Sequence, residues 1–70
     1  MINRLVVLGV GLIGGSFALG LKRRRLCAEI VGCDLSAEIL ARAVELGVVD
    51  RGEIDPGLAV QGADLIMISA

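Results

Sequence analysis

Three glycines and one carboxylate are the residues whose types and spacing suit the binding of a charged ligand. Gly9-Val10-Gly11-Leu12-Ile13-Gly14 has the pattern G-x-G-x-x-G, and Asp34 follows Gly14 by about 20 residues. Gly9 permits a tight turn out of a strand. Gly11 has no Cβ, so a pyrophosphate can approach the backbone. Gly14 lets the next helix lie close to the strand. The amides between the glycines, from Val10 to Ile13, line the approach. Those of Leu12 and Ile13 open the helix without intrahelical partners and point at an anion, to which the helix dipole adds its attraction. The Asp34 carboxylate can accept hydrogen bonds from adenosine ribose hydroxyls. It would repel a 2′-phosphate, and neither Leu35 nor Ser36 is basic, so the expected cofactor is NAD rather than NADP. The plainer alternative is a tight turn and a strand end with no ligand.

The motif needs a strand before it, a helix after it and a second strand ending at the acid. Leu5 to Leu8 is continuously apolar, as in a parallel strand buried on both faces. The spacing predicts a helix from Leu12 to about Arg25, its terminal basic cluster favourably placed against the helix dipole. Glu29 to Cys33 reads as the second strand. Ser36 reads as an N-cap, with Ile39, Leu40, Ala43 and Val44 on one helix face and Gly47 as the C′ residue. Glu38 and Arg42 stand at i, i+4, a pairing worth about 0.2–0.5 kcal/mol. Val48 to Glu53 is a weak third strand. Asp55-Pro56 reads as N-cap and N1 of a short helix running to Gln61, and Leu65 to Ile68 as a buried strand. The order β-α-β-α-β-α-β is that of the first half of a doubly wound parallel α/β sheet of the Rossmann type. All of residues 1–70 are expected to form the N-terminal part of a dinucleotide-binding domain.

Composition narrows the classes. The chain has 70 residues, 56% of them hydrophobic and 21% charged, and a net charge of −1. So much apolar residue excludes a disordered chain, and the charge balance argues against a nucleic-acid partner. So short a chain cannot cover that apolar surface by itself, so marginal stability alone and an open apolar edge beside the last strand are expected. Leu5 to Leu21 carries no charge, is followed by Lys22, Arg23, Arg24 and Arg25, and contains a G-x-x-x-G pair at Gly11 and Gly15. That resembles a membrane span, but its length is at the lower limit of about 17–25 residues and it is rich in glycine, so no membrane association is expected. Cys27 and Cys33 fit no metal-ligand spacing and read as reduced, buried thiols of a cytoplasmic protein. Without His, the chain has no imidazole for proton transfer.

The longer string Gly9-Val10-Gly11-Leu12-Ile13-Gly14-Gly15-Ser16 resembles the N-terminal signature of the prephenate and arogenate dehydrogenase family. Val31-Gly32-Cys33-Asp34, Ala43 to Asp50 and Ala63 to Ala70 resemble later segments of the same family, so the likeness spans nearly the whole chain. Cys33 departs from it, standing where an aromatic residue is frequent. The resemblance implies an NAD-dependent oxidative decarboxylation of prephenate to 4-hydroxyphenylpyruvate in tyrosine biosynthesis. It carries over Gly9, Val10, Gly11, Leu12, Ile13, Gly14 and Asp34 as cofactor-binding residues, with Ser69 near the cofactor. It implies no catalytic residue here, since the family's catalytic His and substrate-binding Arg lie beyond the nucleotide half. A small-molecule substrate, prephenate or arogenate, and a homodimer formed through a separate helical domain are further implications. Another NAD(P)-dependent oxidoreductase, or a domain that senses NAD without chemistry, fits the same residues.

Overall fold

The structure is a computed structural model. It describes residues 2–10 and 12–68, and of residues 12–17 only the helical backbone. In chain order the elements are β1 (Ile2–Leu8), α1 (Leu12–Arg23), β2 (Cys27–Cys33), α2 (Ala37–Glu45), β3 (Arg51–Glu53), α3 (Pro56–Ala59) and β4 (Leu65–Ile68). The four strands form one sheet in the order β3-β2-β1-β4. All three pairings are parallel: Leu5 lies beside Ile30 and Leu65, and Val6 beside Val31 and Ile66.

Alternation along the strands builds two cores. Leu5, Val7 and Ile30 face one way and pack with Ala18 of α1 and with Leu40 and Ala43 of α2. Val6, Val31 and Cys33 face the other way and pack with Ala59 of α3. Helices therefore cover both faces, and the change of face falls between β3 and β4. The largest fully buried side chains, Leu5, Ile30, Val6, Val7 and Val31, all belong to the two central strands. Each contributes roughly 1.5–3 kcal/mol of transfer free energy. Edge strand β4 leaves Leu65, Ile66 and Ile68 exposed, the open apolar edge expected from the sequence.

Element boundaries differ from expectation where backbone turns intervene. The helix expected to reach Arg25 ends at Arg23, because Arg25 adopts a left-handed φ of 57°. The Arg25 amide donates to Lys22 O and the Leu26 amide to Leu21 O, which is a Schellman turn. Helix α2 ends in the same motif, with Gly47 at φ 74° and bonds from Gly47 N to Val44 O and from Val48 N to Ala43 O. That turn consumes Val48, and Val49 is buried in the core, so β3 is only Arg51–Glu53. In α2 the buried residues are Leu40 and Ala43, while Ile39 and Val44 sit at the rim, nearly half exposed. Helix α3 stops at Ala59 rather than Gln61. The ion pairs among the described residues are Arg4–Glu29 and Lys22–Asp50, not Glu38–Arg42. The apolar stretch that resembled a membrane span is divided between β1 and α1, and no helix among the described residues is long and apolar enough to cross a membrane.

A left-handed conformation costs a residue with a Cβ roughly 1–2 kcal/mol, offset by glycine's greater freedom in the unfolded chain. Arg25→Gly should therefore raise stability by about 0.5–1 kcal/mol, read as the midpoint of denaturant unfolding. Asp50 accepts from the Ile30 amide at 2.7 Å and from Lys22 Nζ at 2.6 Å. Burial pushes its carboxyl up, but the bonds from Lys22 and Ile30 outweigh that and hold it below the usual value. A native pKa below the unfolded one gives stability that is present above the ordinary carboxylate range and lost as pH falls through the native value. Asp50→Asn should flatten the acid limb of the stability curve below about pH 4. The pair is partly solvated, so the loss at neutral pH should stay within about 1 kcal/mol.

Candidate nucleotide-binding site

The site lies at the carboxyl ends of β1 and β2. Gly9 leaves β1 with φ 87°, a conformation that favours glycine, and its amide still donates to Cys33 O at 2.8 Å. Val10 then turns inward, its side chain buried in the core under α1 and α2. Helix α1 begins at Leu12, so strand, glycine motif and helix follow in the order the motif requires.

Asp34 directly follows β2 and joins the two loops. Its Oδ2 accepts from the Val10 amide at 3.2 Å and its Oδ1 from the Ser36 amide at 3.0 Å. The Ser36 hydroxyl in turn caps α2 by accepting from the Ile39 amide at 3.3 Å. Each Asp34 oxygen thus holds one backbone donor, and a carboxylate has about four acceptor sites. Capacity for two ribose hydroxyls remains.

Asp34 lines a cleft of about 330 Å³ together with Leu8, Gly9, Cys33, Leu35, Ile54 and Pro56. The lining is almost wholly apolar and contains no Lys or Arg. Leu35 is 88% exposed and Ile54 49% exposed. Large apolar side chains left open beside a carboxylate suit a flat heterocycle attached to a sugar. Burial, then the carboxylates of Glu53, Asp34 and Asp55, push the Cys33 thiol above its ordinary value, so it stays neutral and unreactive at pH 7. Both cysteines are free and buried, as the sequence suggested. No group of three or more His, Cys, Asp and Glu that could hold a metal occurs among the described residues.

Of the residues singled out from the sequence, Gly9, Val10 and Asp34 are brought together. Leu12, Ile13 and Gly14 form the first turn of α1, described by backbone alone. Gly11 and Ser69 lie outside the described residues, Ser69 directly after β4. The sequence reading missed Leu35, Ile54 and Pro56 as walls of the cleft. Only the position of Leu35, an apolar residue beside the acid at a strand end, could have signalled it.

A parallel sheet in this order, with a glycine turn after the first strand and an acid after the second, is the Rossmann-type arrangement of dehydrogenase nucleotide-binding domains. No protein-family model matches the chain. Prephenate dehydrogenase of Bacillus subtilis (strain 168) is 42% identical over 50 residues, which is 71% of this chain and 14% of that protein. The crystal structure of prephenate dehydrogenase from A. aeolicus, in complex with hydroxyphenyl propionate and NAD+, superimposes with a TM-score of 0.91 at 32% identity, over 100% of this chain and 25% of that one. The WlbA dehydrogenase of Chromobacterium violaceum, crystallised with NADH and UDP-GlcNAcA, shares the fold with a TM-score of 0.78 at 24% identity, over 97% of this chain and 20% of that one. The chain is thus a relative of the prephenate dehydrogenases, as its glycine string suggested, and spans a quarter or less of the length of those it matches.

Proposed function

We propose that this chain is the N-terminal, NAD-binding part of a prephenate dehydrogenase. The observation that carries the reading is the Asp34 carboxylate, tied to the glycine turn and open toward an apolar cleft. The fold, the residues present and the A. aeolicus relative crystallised with NAD+ all support the fit. In this reading the amides of Gly11, Leu12 and Ile13 hold the diphosphate, Gly14 keeps α1 close to the sheet and Asp34 holds the adenosine ribose. Leu35, Ile54 and Pro56 flank the adenine, and the family resemblance alone adds Ser69 as a cofactor-binding residue. Bound NAD+ supplies a hydride acceptor, by which prephenate loses CO2 and becomes 4-hydroxyphenylpyruvate, a step of tyrosine biosynthesis.

This chain's residues bind and orient the cofactor. The groups that take the hydroxyl proton and hold the substrate carboxylate lie beyond the nucleotide half, and a separate helical domain makes the homodimer. The substrate is prephenate or arogenate and the protein is cytoplasmic. The test is an assay of the protein containing this chain with each substrate and each cofactor, followed by NADH absorbance. Prephenate or arogenate should support reduction of NAD+. NADP+ should be at least about fivefold less effective, because two unit charges near 4 Å repel by about 1 kcal/mol in water and about 4 kcal/mol near a protein surface. Equal use of NADP+, or reduction with neither substrate, would contradict the proposal.

A further inference from the structure

Val10 is held at two points. Its side chain is buried, and a Cβ added to the facing Gly32 would lie 2.8 Å from Val10 Cγ2. Its amide donates to Asp34 Oδ2. The other Asp34 oxygen is engaged by the Ser36 amide, whose residue caps α2. The carboxylate therefore braces the glycine turn against the start of α2. Val10 immediately precedes the amides assigned to the diphosphate, so an error in its peptide plane is carried into all of them.

We infer that Asp34 is a positioning residue for the diphosphate as well as a ligand of the ribose. This rests on the nucleotide-binding reading above, and adds to it that Asp34 contributes to binding a nucleotide that has no ribose hydroxyls. Turn amides fixed before binding lose less freedom when the anion arrives.

Electrostatics makes the test decisive. Asp34 and a diphosphate are both negative, so removing the carboxylate relieves a repulsion. A residue that only binds the ribose should leave a dideoxy nucleotide's affinity unchanged or improved when it is replaced. A brace of the turn should leave it weaker. Calorimetric titrations of the protein containing this chain should use ADP and 2′,3′-dideoxy-ADP with wild type, Asp34→Ala and Asp34→Asn. Amide hydrogen exchange at Val10 and Ser36 is read without ligand.

The expected result is a loss of about fivefold or more for dideoxy-ADP in Asp34→Ala, together with faster exchange at Val10. A larger loss is expected for ADP, which also forfeits the ribose bonds. Asp34→Asn keeps one carbonyl oxygen for two N–H donors, so it should lose affinity in the same direction. It carries the test alone if the alanine variant does not fold. Unchanged or tighter binding of dideoxy-ADP by the variants would overturn the inference while leaving the ribose reading intact. Failure of the wild type to bind ADP would instead remove the nucleotide-binding reading itself.

Discussion

Asp34→Ala, introduced into the protein containing this chain, should weaken NAD binding about ten- to a hundredfold. The Asp34 carboxylate is available to accept from ribose hydroxyls while it holds the Val10 and Ser36 amides. Hydrogen bonds to a charged group contribute about 1.5–3 kcal/mol, and each 1.4 kcal/mol is a factor of ten in affinity. The cleft has no cation in its lining to take over the role. Calorimetry on the purified variant measures the effect. Affinity within twofold of wild type, in a variant that unfolds at the wild-type temperature, would remove Asp34 from the site.

Gly32→Ala should be the costliest small substitution near the site. Gly32 lies beside Val7 on β1 and faces the core under the helices. Its added Cβ would come within 2.8 Å of Val10 Cγ2 and 3.0 Å of Val49 Cγ1. Both valines are buried, 6% and 3% exposed, and β-branched side chains have few alternative rotamers. Overpacking of this kind costs about 1–3 kcal/mol. Each kcal/mol lowers the melting temperature by about 2–8 °C, less for a larger domain. The shortest contact is with Val10, so relief there displaces the glycine turn and NAD affinity should fall together with the melting temperature. A variant with unchanged stability would mean that the core around Val10 is looser than its geometry shows.

The sequence made the order of elements legible because its punctuation is strong. Asp55-Pro56 is the N-cap and first residue of α3, with Asp55 accepting from the Gly57 amide. Ser36 caps α2, and Gly47 ends it. Continuous apolar runs marked β1 and β4. What was not legible depended on tertiary partners. The first strand begins at Ile2, where it pairs with Cys27, and Asp64 accepts from the Asn3 and Arg4 amides that follow. The second begins at Cys27, whose early residues pair with β1 rather than show a pattern of their own. Arg25 gave no warning of a left-handed turn, since most such positions hold glycine. Within the site, the motif pointed to Gly9, Val10 and Asp34. Two of the apolar walls, Ile54 and Pro56, come from the connection after β3 and the first residue of α3, which the sheet order brings beside Asp34.

A crystal structure of the protein containing this chain, grown with saturating NAD+, tests the central claim most directly. The account predicts the diphosphate against the amides that follow Val10, both adenosine ribose hydroxyls on Asp34, and the adenine between Leu35 and the Ile54–Pro56 loop. A dinucleotide bound elsewhere, or a ribose turned away from Asp34 at full occupancy, would contradict it.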